Sequence, residues 1–351
     1  MIAIYTTIAA ILLFAVLIFV HELGHFAAAK AVGIEVKEFA LGMGPAIIKK
    51  KKGETLYSLR CLPIGGYCKM DGEDEESESD KAFYRQAPWK RIVVLLAGGI
   101  MNLLTGLIVC IVLMSQVSEF VVPQVESVVA GGGAETAGIL PGDTIYKVDN
   151  TRINTQADVR YGLYKTKDKP VNVTVVRDGE KKTFAVVPQY SETDKQYLLG
   201  YRGAVVKNNF WVTIKNGYYD TVFFSKTILE TLGGLITGKV SVSNMSGPVG
   251  IVSEIGGAVG QAAQSTGEAA RLGWLNLWSL FLMITINLGL FNLLPFPALD
   301  GGRIVFVIVE AIRKKALSPE KEGIAHLAGF GFLILLIIFV TSQDIWRLFN
   351  R

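Results

Sequence analysis

The stretch LLFAVLIFVHELGHFAAAK, residues 12–30, combines two patterns that rarely share a helix. Most of it is apolar enough to lie in a bilayer, yet His21, Glu22 and His25 interrupt it toward its C-terminal end. Ionisable groups inside a span are costly and point to function before packing. On a helix, residues four apart share a face, so His21 and His25 stack with Glu22 beside them. H-E-x-x-H is the pattern in which two imidazoles hold zinc and the glutamate acts as general base. Zinc suits such a site because it brings the pKa of bound water to about 7. Glu22 can then take that proton and return it to a leaving amine. The bland alternative is a set of incidental polar residues near a helix end. Against it, the whole chain has only three histidines, and two of them occupy the ligand spacing.

The surrounding sequence is that of a membrane protein. Of 351 residues, 50% are hydrophobic and 19% charged, and the mean hydropathy is +0.39. Four segments are long and apolar enough to cross a hydrocarbon core, which takes roughly 20 helical residues. They are 4–29, 92–117, 275–294, which is followed by Pro295 and Pro297, and 324–340. The first has no basic leader and no credible cleavage site before HELGH, so it is expected to be a retained span and not a signal peptide. A net charge of +4, small and scattered, gives no reason to expect a nucleic-acid partner. The partner expected from composition is the lipid bilayer. Cys61, Cys68 and Cys110 lack zinc-type spacing and are expected to be free thiols.

Basic residues set an expected orientation. The loop after the first span holds Lys49, Lys50, Lys51, Lys52, Arg60, Lys69, Lys90 and Arg91, and that after the third holds Arg313, Lys314 and Lys315. Short loops rich in Lys and Arg stay cytoplasmic. Both termini and the long middle segment are then extracytoplasmic, with the motif toward the cytoplasmic side. The acidic run DGEDEESESD, 71–80, reads as a solvated loop. Residues 53–70, GETLYSLRCLPIGGYCKM, alternate like a hairpin. Their composition fits a cytoplasmic surface hairpin and a segment dipping to membrane depth equally well.

The middle of the chain changes character. Short β-branched runs such as VNVTVV (171–176) and turn signals at PGD, DN and RDGE predict a compact, mostly β domain within 121–189. From 209 to 273 the pattern turns helical and amphipathic, as expected of pieces lying along the outer membrane surface.

Two histidines leave a catalytic zinc short of a third protein ligand. His326 opens the last span with no ligand motif around it and reads as an interfacial or helix-packing residue. Asp300, in NLGLFNLLPFPALDGGR, is the better candidate, although Asp-Gly is also a common turn pair. Both His25 and Asp300 fall toward the cytoplasmic ends of their spans. Asn287 and Asn292, amides in an apolar helix, could hold substrate backbone or bridge helices.

HELGH, PIGGY, GGIMN, a β domain, SGPVGI and NLLPFPALDGG occur in the order found in the bacterial site-2 proteases, intramembrane zinc metalloproteases of peptidase family M50, and the chain resembles them over nearly its whole length. The resemblance implies a polytopic α-helical membrane protein with four transmembrane helices, a membrane re-entrant β-loop and an inserted extracytoplasmic PDZ domain of α+β type. It divides the chain into 1–118 (helices one and two with the β-loop), 119–190 (PDZ, including AGILPGDTIYKVDN at 137–150), 191–273 (membrane-associated helices) and 274–351 (helices three and four). It implies one Zn2+ held by His21, His25 and Asp300, with Glu22 as general base. Asn287, Asn292, Gly65, Gly66 and Asn102 are the expected substrate-contact residues, with 53–70 pairing with an unwound substrate strand. The implied substrate is a single-span membrane protein, such as a pre-trimmed anti-sigma factor or a remnant signal peptide. Length allows one PDZ domain, whereas some relatives carry two, and Arg303 stands where some have histidine. The competing expectations are a PDZ-bearing membrane scaffold, which would need neither HExxH nor Asp300, and a zinc transporter, for which this ligand set is thin.

Overall fold

The computed structural model describes residues 2–73, 77–166, 168–315 and 319–350. In chain order it begins with α1 (Ile2–Val32), β1 (Val36–Lys52), β2 (Thr55–Met70) and α2 (Pro88–Ser115). A sheet-rich stretch follows: β3 (Glu119–Val128), α3 (Gly133–Thr136), β4 (Thr144–Val148), β5 (Thr151–Arg152), α4 (Gln156–Thr166), β6 (Val171–Arg177), β7 (Glu180–Val186), β8 (Gln189–Ser191), β9 (Gln196–Leu198) and β10 (Tyr201–Lys207). The chain closes with α5 (Phe210–Ile236), α6 (Pro248–Gln264), α7 (Gly267–Asn292), α8 (Asp300–Arg313) and α9 (Pro319–Phe349). It forms two compact units, Met1–Val109 with Thr227–Arg351, and Cys110–Lys226.

Among the described residues, four helices have the length and composition to cross a membrane: Ile2–Val32, Pro88–Ser115, Gly267–Asn292 and Glu322–Phe349. Each starts before the apolar run expected for it, although α2 and α7 stop short of its far end. Pro88 fits the first turn of α2 because its missing N–H is one that a helix start leaves unpaired. Helix α7 begins at Gly267, about two turns before the expected start, and an Arg271–Glu268 pair at 2.6 Å lies in that extension. The apolar surface of α1 runs all round, so its inward side is a matter of size and polarity. Thr6, Ala10, Leu13, Leu17, His21, Gly24, His25 and Ala29 form one buried stripe with the helical period. A Cβ at Gly24 would lie 2.4 Å from the Ala97 carbonyl oxygen, so α1 and α2 meet backbone on backbone there.

The hairpin predicted within 53–70 is longer and more folded. Its first strand begins at Val36, hidden in the sequence by Gly42, Gly44, Pro45 and the lysine run. Residues 38–41 pair on one side with 66–69 in antiparallel register, and on the other with 56–59, the numbers rising together. Residues 49–52 then pair with 55–58. Two strands thus make four sheet segments, whose outer edges are 49–52 and 66–69. Arg60 ties the far end together, donating to Glu38 (2.7 Å) and the Gly44 carbonyl (2.6 Å). Met43, Ile47, Ile48 and Leu62 stand exposed at that end.

The acidic run is only partly a solvated loop. Residues 74–76 lie outside the described set, but Asp71 is 4% exposed. It accepts from Lys37 at 2.8 Å and Ser77 at 2.6 Å. Glu73 pairs with Arg303 of α8. An acidic side chain in this run has a cationic partner within reach, which composition does not show.

In the Cys110–Lys226 unit the sheet order is β10-β3-β4-β6-β7, with β5 on β4. Val171, Val173 and Val175 of β6 point into a core with Ile145, Val148, Val159, Leu163 and Val186, while Asn172 and Thr174 alternate outward. The sheet does not stop at 190. The small β8–β9 ladder turns the chain through Gly200, at φ 84, and Tyr201–Lys207 pairs with β3 as an edge strand. Residues 191–207, grouped by sequence with the membrane-associated helices, therefore belong to the sheet.

Within the other unit, α6 packs on α7 and α1: a Cβ at Gly273 would lie 2.3 Å from the Ala262 nitrogen, and one at Gly256 3.3 Å from Thr6. The SGPVG turn is read by α9. Gly247 caps α6, Pro248 occupies its first position, and the Gly250 N–H donates to buried Asp344 at 2.7 Å. Asp344 thus does from a distant helix what a capping side chain does locally.

Candidate metal centre

The helical register of α1 places His21 and His25 on its buried stripe, 8% and 7% exposed. Asp300 reaches them from a different part of the chain. Helix α7 ends at Asn292, the segment 293–299 folds back, and Asp300 opens α8, where a carboxylate also suits the helix dipole. Its two glycines permit this turn. A Cβ at Gly301 would lie 2.1 Å from the Leu294 carbonyl oxygen, and one at Gly302 2.3 Å from that of Phe296. The Asp-Gly pair therefore starts a helix; it does not form a free turn.

Three atoms converge. His21 Nε2 and His25 Nε2 are 3.2 Å apart, and Asp300 Oδ2 lies 3.2 and 3.3 Å from them. They form a nearly equilateral triangle, and no other group of three or more potential ligands is found among the described residues. Tetrahedral bonds of about 2.0–2.1 Å put ligand atoms about 3.4 Å apart, so the triangle has the size of a zinc site. Asp300 Oδ2 is buried without a hydrogen-bond donor, as an atom reserved for a cation would be. The donor set, two imidazoles and one carboxylate, is one that zinc accepts.

The next layer orients the rings. His25 Nδ1 lies 2.8 Å from the Val94 carbonyl, to which it donates, leaving the Nε2 lone pair directed at the triangle. His21 Nδ1 lies 3.3 Å from the Asn102 amide, whose Oδ1 otherwise lacks a partner. With that amide oriented oxygen-first, Nδ1–H donates to it and His21 Nε2 is likewise free for a cation. Gly98 makes room for both rings: a Cβ there would lie 2.3 Å from His25 Nε2 and 2.7 Å from His21 Cε1.

The other expected site residues divide. Asn292 is at the centre, its Nδ2 3.4 Å from His21 Nε2. Asn287, five residues earlier, is turned about 140° round the helix from it and is not part of this cluster. Asn102 is 0% exposed and offers a substrate no surface; it belongs with the ring-orienting groups and not with substrate contacts. Gly66 brings the 66–69 edge against α1, where a Cβ would lie 3.7 Å from Glu22 Cγ. The Glu22 carboxylate accepts from the Cys68 N–H of the same edge. Gly65, at φ 87, makes the turn into that edge, closed over by Met43. Sequence reasoning missed Gly98 as a ring-clearance position; its signals were the small-residue run Ala97-Gly98-Gly99 inside a span and its place at the head of GGIMN. His326, expected as an interfacial or helix-packing residue, does pack on Phe306 of α8, and its Nδ1 also accepts from the Ala298 N–H at 3.0 Å, a contact the sequence does not show.

Comparison with known proteins identifies the family. The profile of peptidase family M50 matches residues 9–336. A Clostridium acetobutylicum protein is 37% identical over 343 residues, 97% of both chains. The zinc metalloprotease RasP of Bacillus licheniformis and the regulator of sigma-W protease RasP of Bacillus subtilis are each 30% identical over 428 aligned positions, 98% of this chain and 99% of theirs. An alignment longer than this chain means that those relatives carry inserted sequence. The chain belongs to peptidase family M50.

Proposed function

We propose that this membrane metalloprotease cleaves single-span membrane proteins within or beside their spans, with His21, His25 and Asp300 as zinc ligands and Glu22 as general base. Metalloprotease activity, a zinc cofactor and membrane residence follow from the family. The observation that carries the finer assignment is the three-atom triangle beside a carboxylate, inside a unit of apolar helices. When bound, zinc supplies Lewis-acid polarisation of the scissile carbonyl and acidifies water. Glu22 takes the proton from that water and delivers it to the leaving amine nitrogen. Asn292, 3.4 Å from His21 Nε2, is positioned to donate to a substrate carbonyl as it gains charge.

A spanning helix keeps its carbonyls in internal hydrogen bonds, so the substrate must unwind before cleavage. The four-segment sheet offers a template. One edge carries Lys49–Lys52, a device that discourages strand addition. The other, 66–69, carries a single lysine, Lys69, at the end away from Gly66, and runs past Glu22. Its Cys68 and Met70 N–H groups are met by Glu22 and Glu73, which leaves the Gly66 end for β-addition of substrate. The exposed apolar side chains Met43, Ile47, Ile48 and Leu62 favour immersion of the sheet's far end over a surface hairpin. Its lysines, with the basic loop after α8, favour a cytoplasmic position for that side and an extracytoplasmic one for both termini and the sheet-rich unit.

That unit supports a PDZ assignment. β10 is an edge strand, entered through Leu198-Leu199-Gly200-Tyr201, and the Tyr201 hydroxyl donates to Gln156 at the start of α4 at 3.0 Å. An open strand beside a helix is where a peptide C-terminus would add. The substrate class is a membrane protein with little left outside its span, such as a trimmed anti-sigma factor; RasP of Bacillus subtilis is named for sigma-W regulation. Co-expression with a tagged, outwardly truncated anti-sigma fragment tests this. Wild type should cleave it, while Glu22→Gln and Asp300→Ala should not. Cleavage that persists in Glu22→Gln removes the general-base assignment.

A further inference from the structure

We propose that His326 is a positioning residue for the metal centre: its hydrogen bond to the Ala298 backbone holds the turn that delivers Asp300. The inference rests on Asp300 being a zinc ligand.

Three observations carry it. First, Ala298 sits at φ 77, a left-handed conformation that an alanine adopts only when its surroundings hold it there. It lies two residues before Asp300, so a change at this φ swings the carboxylate. Second, what holds it comes from α9. The Ala298 N–H donates to His326 Nδ1 at 3.0 Å, which fixes the neutral tautomer with the proton on Nε2, 3.7 Å from Glu322 Oε1. Third, α9 meets the turn along one face in reverse order. His326 takes Ala298, and Gly329 lies under Pro297, where a Cβ would come 2.4 Å from the carbonyl oxygen. Phe332 packs on Phe296 with the rings tilted and their centroids 5.5 Å apart. The His326 ring is itself packed edge-on to Phe306 of α8, at 5.6 Å. The third histidine is thus outside the ligand triangle but one backbone hydrogen bond away from the segment that completes it. It acts as the partners of metal-bound imidazoles do, except that it orients a carboxylate through the main chain.

The test is zinc affinity of the full-length protein in detergent micelles, read by competition against a colorimetric chelator. His326→Phe keeps an aromatic ring against Phe306 and loses the acceptor; it should bind zinc about 10–100-fold more weakly. His326→Asn places an amide oxygen near the Nδ1 position and should return to within about threefold of wild type. Adding Ala298→Gly to His326→Phe should recover most of the loss, because glycine adopts the positive φ unaided. A packing role for the ring would be insensitive to that rescue. Wild-type affinity in His326→Phe overturns the proposal, as does failure of both the Asn and the Ala298→Gly rescue. If His326→Phe does not accumulate, the double variant decides: zinc binding in it supports the clamp, and its loss overturns it. Asp300→Ala run alongside separates the two layers, since undiminished zinc binding there would remove Asp300 from the centre altogether.

Discussion

Gly98→Ala adds one methyl group to a transmembrane helix and should disable the metal centre. The new Cβ would stand 2.3 Å from His25 Nε2 and 2.7 Å from His21 Cε1. Ordinary non-bonded separation is about 3.5 Å, so the His25 ring must retreat by about 1 Å. Zinc–ligand distances hold to within about 0.2 Å. The imidazole therefore leaves the coordination sphere, because it cannot stretch with it. Structural zinc sites bind with about 10–16 kcal/mol from four ligands, or about 2.5–4 kcal/mol each. Losing one weakens zinc affinity about 10²–10³-fold. The helix itself should not suffer, since alanine is favoured over glycine in a helix by about 1 kcal/mol. Chelator competition on purified protein reads the affinity, and cleavage of a single-span substrate reads the consequence. Gly106→Ala on the same helix is the control. Its Cβ would meet the buried Ile286 side chain, with Cγ1 at 2.7 Å, which should lower the melting temperature and leave zinc affinity intact. Zinc affinity within threefold of wild type in Gly98→Ala would refute the ring-clearance role.

Other perturbations separate the remaining parts. Gly66→Ala puts a Cβ 2.9 Å from the Ala40 carbonyl oxygen, between sheet and substrate edge; cleavage should fall about tenfold with zinc affinity unchanged, and equal losses in both would place Gly66 in the metal centre. Asp344→Ala strands the Gly250 N–H at the start of α6 and should destabilise by about 1–3 kcal/mol in thermal unfolding. Burial, with the charge of Asp158 adding to it, raises Asp220 from its ordinary 3.8 to about 6. The fold then retains a proton that the unfolded chain has released, so stability falls as pH rises from about 4 to 6 and stays reduced above that range. Asp220→Asn should recover up to about 3 kcal/mol at pH 7 and flatten that slope; an unchanged pH profile would remove Asp220 as its source.

Spans were legible because 18 or more apolar residues leave few alternatives, and the HExxH spacing was legible because it matches the helical period. The inward face of α1 was not legible. Lipid is as apolar as leucine, so no hydropathy contrast separates the sides, and Gly24 and Ala29 identify the buried stripe only once α2 is in place. The first strand of the hairpin was hidden because Gly42, Gly44, Pro45 and four lysines are loop residues by local propensity. The register, which sets 38–41 between two partners, is a tertiary fact. The end of the sheet was misplaced because YRGAVVK is short and its glycine breaks the alternation; its partner β3 lies more than 70 residues away. The site shows the same division: His21 and His25, which repeat along one helix, were visible, and Asp300 and Asn102 were singled out with their motifs, while the ring-orienting contact of Asn102, the clearance at Gly98 and the hydrogen bond of His326 act across helices and carry no local pattern.

The triangle joins positions 21 and 300, and so has a consequence for how the protein comes into being. A nascent chain inserts its first helix, with both imidazoles in place, long before the carboxylate has been synthesised. Until residue 300 emerges and folds back behind its two glycines, the membrane holds a two-ligand fragment, short of the three protein ligands that a catalytic zinc ordinarily has. Cation capture by the proposed ligands would then close a loop of most of the chain, and the entropy of such a closure grows only slowly with its length. A hydrolytic centre assembled this way would be silent in any translation product that ends before residue 300, and neighbouring membrane helices would be exposed to it only after that residue has been made.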